Sequence, residues 1–143
     1  MHTMSEAEYK AFLMTGTRTA KIATVRANGL PHVKPVWFVL DGDDLLFTTH
    51  ESYVMTRHLR RDPHVNICVD DERAPYGYVI VEGTAVLSDN LDDLVRWATV
   101  IGGRYMGADR AEEFGKRNGV PGEYLVRVTP TKVLARADIA GYE

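Results

Sequence analysis

The first half of the chain contains three extended segments that only short turns separate, and this pattern limits the possible folds more than any other feature. The segments are residues 19–25, 32–40 and 45–49, and the turns between them contain Asn28-Gly29 and Asp41-Gly42. Asn-Gly adopts the positive φ angles of a tight hairpin at little cost. Parallel strands need a crossover of a dozen or more residues, so the spacing predicts an antiparallel sheet.

Helical and extended patterns alternate in the rest of the chain. Ser5 and Glu8 form a capping-box pattern at the start of a short helix, Ser52 is positioned to cap a second helix, and Asp62-Pro63 stops it. Further helices are predicted from Asp89 through Ile101 and over 108–118, and strands over 65–69, 78–87 and 125–135. The patterns predict one mainly β domain over residues 1–143, a small antiparallel β-barrel with α insertions.

Composition and motifs exclude several functional classes. The formal net charge of -3 gives no overall basic field for nucleic acid. The N-terminus has no apolar signal region and no run approaches the ~20 apolar residues of a membrane span, which predicts a cytoplasmic protein. Cys68 is a single cysteine in an apolar run, so an internal disulfide is excluded and a buried, inert thiol is predicted. The five histidines lack a metal-ligand spacing, and no P-loop, Gly-x-Ser-x-Gly or His-Glu-x-x-His motif is present.

The basic segment TTHESYVMTRHLRRDP, residues 48–63, is open to two interpretations. Thr48, Thr49 and Ser52 place three hydroxyls where a helix begins, and Arg57 lies one and a half turns into that helix. A helix start suits a phosphate because its N–H groups are unpaired and its dipole end is positive. The alternative is a solvated helix whose arginines bind nothing, and the residues alone do not decide between the two.

Two groups of aromatic residues are also ambiguous. Trp37-Phe38 follows Pro35, which removes one hydrogen-bond donor from its strand, and Tyr76-Gly77-Tyr78 precedes a later strand. Such side chains line a slot for a flat ligand or, more commonly, form part of the core. The acidic run Asp70-Asp71-Glu72 is interpreted as a polar loop between strands.

Taken together, the motifs resemble those of a known family. They are Ile22-Ala23-Thr24-Val25, Asn28-Gly29, Pro31-His32-Val33, Pro35-Val36-Trp37-Phe38, Leu46-Phe47-Thr48-Thr49, the segment from Arg57 to Pro63, and Val81-Glu82-Gly83-Thr84-Ala85. In this order they look like the pyridoxamine-phosphate-oxidase-like, FMN-binding split-barrel flavoproteins. Leu-Arg-Arg-Asp-Pro and Arg104-Tyr105-Met106-Gly107 are similar to the branch that uses the deazaflavin coenzyme F-420.

The resemblance implies a split β-barrel, Greek-key-like and antiparallel, that forms a homodimer with two cofactor sites between the subunits. It implies that the ring system meets Lys34, Pro35, Val36 and Trp37 and that Thr48, Thr49 and Ser52 face the phosphate or ribityl chain. Tyr76 and Tyr78 are expected to reach the partner subunit's site. Tyr53, Met55, Thr56 and Arg57, from the start of the same helix, complete the candidate cofactor-binding set.

One residue departs from the family pattern. Met55 stands where the family commonly has a lysine that pairs with the cofactor phosphate, and Tyr53 replaces a basic residue of some relatives. Methionine carries no charge, so either Arg57 and Lys34 neutralise the phosphate, or the cofactor is bound weakly, differently or not at all.

The predicted function is a coenzyme F-420-dependent oxidoreductase that transfers a hydride to a small, conjugated organic substrate. Alternatives are an FMN-binding oxidoreductase of the pyridoxamine-phosphate-oxidase type and a non-enzymatic cofactor-binding or storage protein. No side chain is assigned as catalytic acid or base, and the proton comes from solvent, Tyr76 or His50. No metal site is predicted.

Overall fold

The computed structural model describes residues 1–141. Its strands are β1 (His2–Thr3), β2 (Ala20–Val25), β3 (Pro31–Val36), β4 (Val39–Asp41), β5 (Asp44–His50), β6 (His64–Asp71), β7 (Gly77–Ser88) and β8 (Glu123–Ala137). Its helices are α1 (Glu6–Met14), α2 (Val54–Arg61), α3 (Leu91–Met106) and α4 (Ala111–Asn118), and a 3-10 turn at Ala108–Arg110 precedes α4.

The eight strands form one antiparallel sheet, which confirms the predicted fold class. The strand order is β3-β2-β6-β7-β8-β5-β4, and β1 pairs with β8. Within residues 1–141 no pairing joins the two edge strands, β3 and β4, so hydrogen bonds do not close the sheet. The sheet is therefore open and curved; α1, α2 and α3 contact its strands, and α4 packs on α3.

The segment predicted as a single strand, residues 32–40, is two strands, so that prediction was wrong. β3 ends at Val36 and β4 begins at Val39, and these strands lie at opposite edges of the sheet. Three Cα–Cα steps span at most about 11 Å, so the two edges must come close together at Trp37-Phe38. Phe38 is fully buried in the core, and Trp37, between the two edge strands, is 38% exposed.

The inward faces of the strands and one face of α2 share the main core. β2 alternates buried and half-buried positions, which places Ala20, Ile22 and Thr24 inside. Met55 and Leu59 of α2 pack into the same cluster as Ile22. Helix α2 therefore packs its buried face against the concave side of the curved sheet.

The predicted helix boundaries were partly wrong at the caps. Ser5 and Glu8 make both hydrogen bonds of the capping box, as predicted. Ser52, in contrast, does not cap α2, because Tyr53 occupies the N-cap position without a side-chain bond, and the Ser52 hydroxyl pairs with Nδ1 of His50 (2.7 Å). Asn90, one residue after the predicted Asp89, caps α3.

Candidate functional site

A cleft of about 440 Å³ lies where the crossing from β3 to β4 meets β5, the start of α2, and helices α3 and α4. The predicted site residues that line it are Lys34, Pro35, Val36, Trp37, Thr48, Thr49 and Tyr53. The residues that sequence reasoning missed are Thr19, Ile101, Phe114, Arg117, Asn118 and Glu123. The volume falls within the range of about 300–1,000 Å³ that is usual for ligand pockets.

Stacked aromatic rings form one wall of the cleft and hold Trp37 in place. The Trp37 and Tyr105 rings are parallel within 4° with centroids 5.1 Å apart, and Phe114 meets Trp37 edge-on at 5.8 Å. The Tyr105 hydroxyl accepts a hydrogen bond from the Phe38 amide (3.2 Å) and donates one to the Arg18 carbonyl (2.7 Å). Burial raises the pKa of Tyr105, so this hydroxyl stays protonated.

Arg104 fixes the backbone behind that wall. Its guanidinium donates to the carbonyls of Phe38 (2.6 Å), Leu13 (2.7 Å) and Gly16 (3.0 Å). The Arg104-Tyr105 pair, which the sequence offered only as part of a motif, thus ties the β3–β4 crossing to the end of α1. Its role in the structure is to position Trp37.

Cationic and hydroxyl groups line the cleft near the start of α2. The Lys34 ammonium lies 4.0 Å from the centroid of the Tyr53 ring, a cation–π contact. The Thr49 hydroxyl pairs with that of Thr56 (2.9 Å), and Thr56 donates to the His50 carbonyl (2.6 Å). Both threonines are buried, so their hydroxyls hold the turn together, whereas Thr48 is only half-buried in the lining.

The other predicted site residues lie outside this lining. Met55 is 1% exposed and packs in the core, and Arg57 is exposed on α2. Tyr76 has a φ of 66° and lies in the turn before β7. Tyr78 lies on β7, opposite Arg136 of β8. Within one chain, Ser52, Met55, Thr56, Arg57, Tyr76 and Tyr78 are thus not part of the cleft lining.

Charged residues from α4 and β8 complete the cleft. Arg117 lies in the last turn of α4, 5.4 Å from the Phe114 ring centroid, and Glu123 begins β8. Burial raises the pKa of the Glu123 carboxyl, although the charges of His50 and Arg117 oppose that shift. No local pattern marks these residues, because tertiary packing brings them to the cleft: α4 packs on α3, and β8 pairs with β5.

The acidic and cysteine features have ordinary structural surroundings. Asp70 and Asp71 end β6 and pair with Lys21 (2.9 Å) and Arg18 (3.0 Å), beside a groove of about 480 Å³. Within residues 1–141 no group of three or more His, Cys, Asp or Glu is arranged to hold a metal ion. Cys68 is half-buried, less than predicted, and burial raises the pKa of its thiol.

Comparison with known proteins gives one family and several structural neighbours. A family model described as pyridoxamine 5'-phosphate oxidase matches residues 5–137. A conserved hypothetical protein from Mycobacterium tuberculosis superposes with a TM-score of 0.84, at 24% identity over 94% of this chain and 86% of that one. An F-420 reductase superposes with a TM-score of 0.68, at 26% identity over 86% of this chain and 94% of that one.

A more distant neighbour shares the fold. A FAD-binding protein from Mesorhizobium loti superposes with a TM-score of 0.70, at 15% identity over 94% of this chain and 93% of that one. Among the residues that the structure describes, no helix is long and apolar enough to cross a membrane.

Proposed function

The chain belongs to the pyridoxamine 5'-phosphate oxidase family, and on this premise we propose that it is an oxidoreductase that uses the deazaflavin coenzyme F-420 to reduce a small, conjugated organic substrate. The proposed cofactor site is the cleft beside Trp37. The likeness to an F-420 reductase, at 26% identity over 86% of this chain, supports a deazaflavin over FMN. Family membership itself supports the broader class of flavin-type oxidoreductases.

The chemistry of the cleft lining is the observation that carries this proposal. Trp37 and Phe114 supply a flat apolar wall, Thr19, Thr48 and Asn118 supply hydrogen-bonding groups, and Lys34 and Arg117 supply positive charge. A flat ring system with polar edges and an anionic tail requires these three kinds of group together. The residues present therefore fit such a cofactor.

A reduced deazaflavin, when bound, supplies the hydride, and the protein's part is to position and shield the ring. The wall formed by Trp37 is held before any ligand arrives, because Tyr105 stacks on it and Arg104 ties down the Phe38 carbonyl. Such preorganisation spares the cost of ordering the wall during binding.

The proposal takes the accompanying proton from solvent. His50 Nδ1 is paired with the Ser52 hydroxyl at 2.7 Å, and neither His50 nor Tyr76 lines the cleft within one chain. No side chain is therefore proposed as the acid.

We propose that the active form is a homodimer. Pro31, Val33 and Pro35 of the edge strand β3 are exposed, and Val33 is 66% exposed. A second copy that covers the outer face of β3 would bury these exposed apolar side chains. Tyr76 and Tyr78 are proposed to reach the partner's cleft across that interface.

A fluorescence titration of the purified protein with oxidised F-420 and, separately, with FMN tests this function. We expect saturable binding of F-420 in the micromolar range and weaker binding of FMN. Tight binding of FMN without binding of the deazaflavin would overturn the choice of cofactor. Binding of reduced F-420 that no quinone or enone acceptor oxidises would favour a storage role.

A further inference from the structure

We propose that the anionic tail of the cofactor is held by Lys34 of β3 and Arg117 of α4, and not by a cation on α2. This inference rests on the proposed function of the cleft and specifies which side chains recognise the phosphate-bearing part of the ligand. It assigns a binding role to Arg117, a residue that no sequence motif indicated.

Helix α2 offers no cation to the cleft lining. Met55 is buried in the core, and Arg57 is exposed but does not line the cleft. The Ser52 and Thr56 hydroxyls are already paired with His50, through its ring and its carbonyl respectively. The charge that neutralises an anion must therefore come from other elements.

Lys34 brings positive charge to the start of α2 from the neighbouring strand. Its ammonium lies 4.0 Å from the ring centroid of Tyr53, which is the N-cap residue of α2. Among the ion pairs of residues 1–141 none involves Lys34, so its charge is available to a ligand. The positive end of the helix dipole adds to the same field. Lys34 thus places a positive charge beside the first turn of α2.

Arg117 adds a second cation from α4. Its guanidinium lies 5.4 Å from the Phe114 ring centroid and, among the described residues, forms no ion pair. Glu123 is the acidic group in the same lining, and burial raises the pKa of its carboxyl, which weakens its competition for the two cations. The lining therefore carries two cations against one carboxyl group and favours an anionic ligand.

A pair of ligands that differ only in the tail tests the assignment. The purified protein is titrated with oxidised F-420 and with the tail-free 8-hydroxy-5-deazariboflavin, and binding is followed by fluorescence. Lys34→Gln and Arg117→Gln should each weaken F-420 binding about fivefold or more, since each removes a charge-assisted contact. The affinity for the tail-free ring should change less than about twofold.

Two further variants serve as controls. Lys116→Gln removes the same charge from the adjacent position of α4, outside the cleft lining, and should leave both affinities unchanged. Lys34→Arg keeps the charge and should restore most of the F-420 affinity. If the Gln variants unfold, as their circular dichroism would show, the Lys34→Met and Arg117→Met variants remove the same charges and keep the comparison of the two ligands possible.

Three results would overturn the inference. The first is an equal loss of affinity for both ligands in the Gln variants, and the second is an unchanged F-420 affinity in those variants. The third is a tail-specific loss of affinity in Arg57→Gln that the cleft variants do not show.

If the wild-type protein binds neither deazaflavin, the proposed cofactor is wrong. FMN and riboflavin then form the matched pair, and equal affinity for these two ligands would overturn the anion site as well.

Discussion

Glu123 is the acidic side chain among those that line the cleft in residues 1–141, and its charge opposes an anionic ligand. Replacing Glu123 with Gln removes this repulsion while keeping the shape of the side chain. We expect Glu123→Gln to tighten F-420 binding about two- to fivefold at neutral pH, a modest effect because the group is only half-buried. Titration by fluorescence measures it, and weaker binding would show that Glu123 contacts the ligand as an acceptor.

His58 is a buried ionisable group on the inner side of α2. It is 5% exposed, its Nδ1 pairs with the Thr24 hydroxyl at 2.9 Å, and the His32 ring lies edge-on at 5.2 Å. Burial lowers the pKa of His58, and the charges of His32 and three nearby arginines lower it further. His58 is therefore neutral in the folded protein at neutral pH.

This shift predicts how stability depends on pH. The folded pKa of His58 lies below its unfolded value of about 6.5, so below that pH the unfolded chain takes up a proton that the folded chain excludes. The free energy of unfolding should be fully retained above about pH 6.5 and fall as the pH is lowered toward 5.5. Urea unfolding at both pH values measures the slope, and His58→Gln should flatten it. An identical slope in that variant would rule out His58 as the source.

At the scale of elements, the close packing of α3 and α4 determines where Phe114 lies in the cleft. A Cβ atom at Gly102 of α3 would come within 2.4 Å of the Phe114 Cβ, a backbone-proximal atom that cannot swing away. The glycine therefore permits the two helices to approach, and the edge of Phe114 reaches Trp37 at a centroid distance of 5.8 Å as a consequence.

Gly102→Ala should separate these helices. We expect a loss of about 1–3 kcal/mol in the free energy of unfolding, the usual cost of overpacking, together with weaker cofactor binding as Phe114 moves. Val100→Ala, at an exposed position of α3, is the control and should change both quantities little. Unchanged stability in Gly102→Ala would mean that the two helices adjust freely.

The sequence predicted most elements but not the way in which they meet. The Asn28-Gly29 turn located the hairpin of β2 and β3, and the Ser5–Glu8 capping box identified the start of α1. The break at Trp37-Phe38 was missed because residues 35–40 are apolar throughout, and only the pairing partners show that this segment crosses from one sheet edge to the other. Arg117 and Glu123 were missed because no local motif contains them, and only tertiary packing brings them to the cleft.

At the scale of the whole molecule, the proposed homodimer predicts a solution mass. Light scattering should give twice the mass of the chain at micromolar concentration. Val33→Glu places a charge on the exposed face of β3 and should shift the protein toward monomer, whereas Val100→Glu on α3 should not. A wild-type protein that remains a monomer would contradict the dimer and the proposed reach of Tyr76 and Tyr78 into a partner's cleft.

The central claim is that the cleft at the β3–β4 crossing holds a deazaflavin. A crystal structure of the protein soaked or grown with oxidised F-420 tests it most directly. The account predicts the ring system against Trp37 and the tail between Lys34 and Arg117. A ring bound away from Trp37, for example in the groove beside Arg18 and Asp71, would contradict the account.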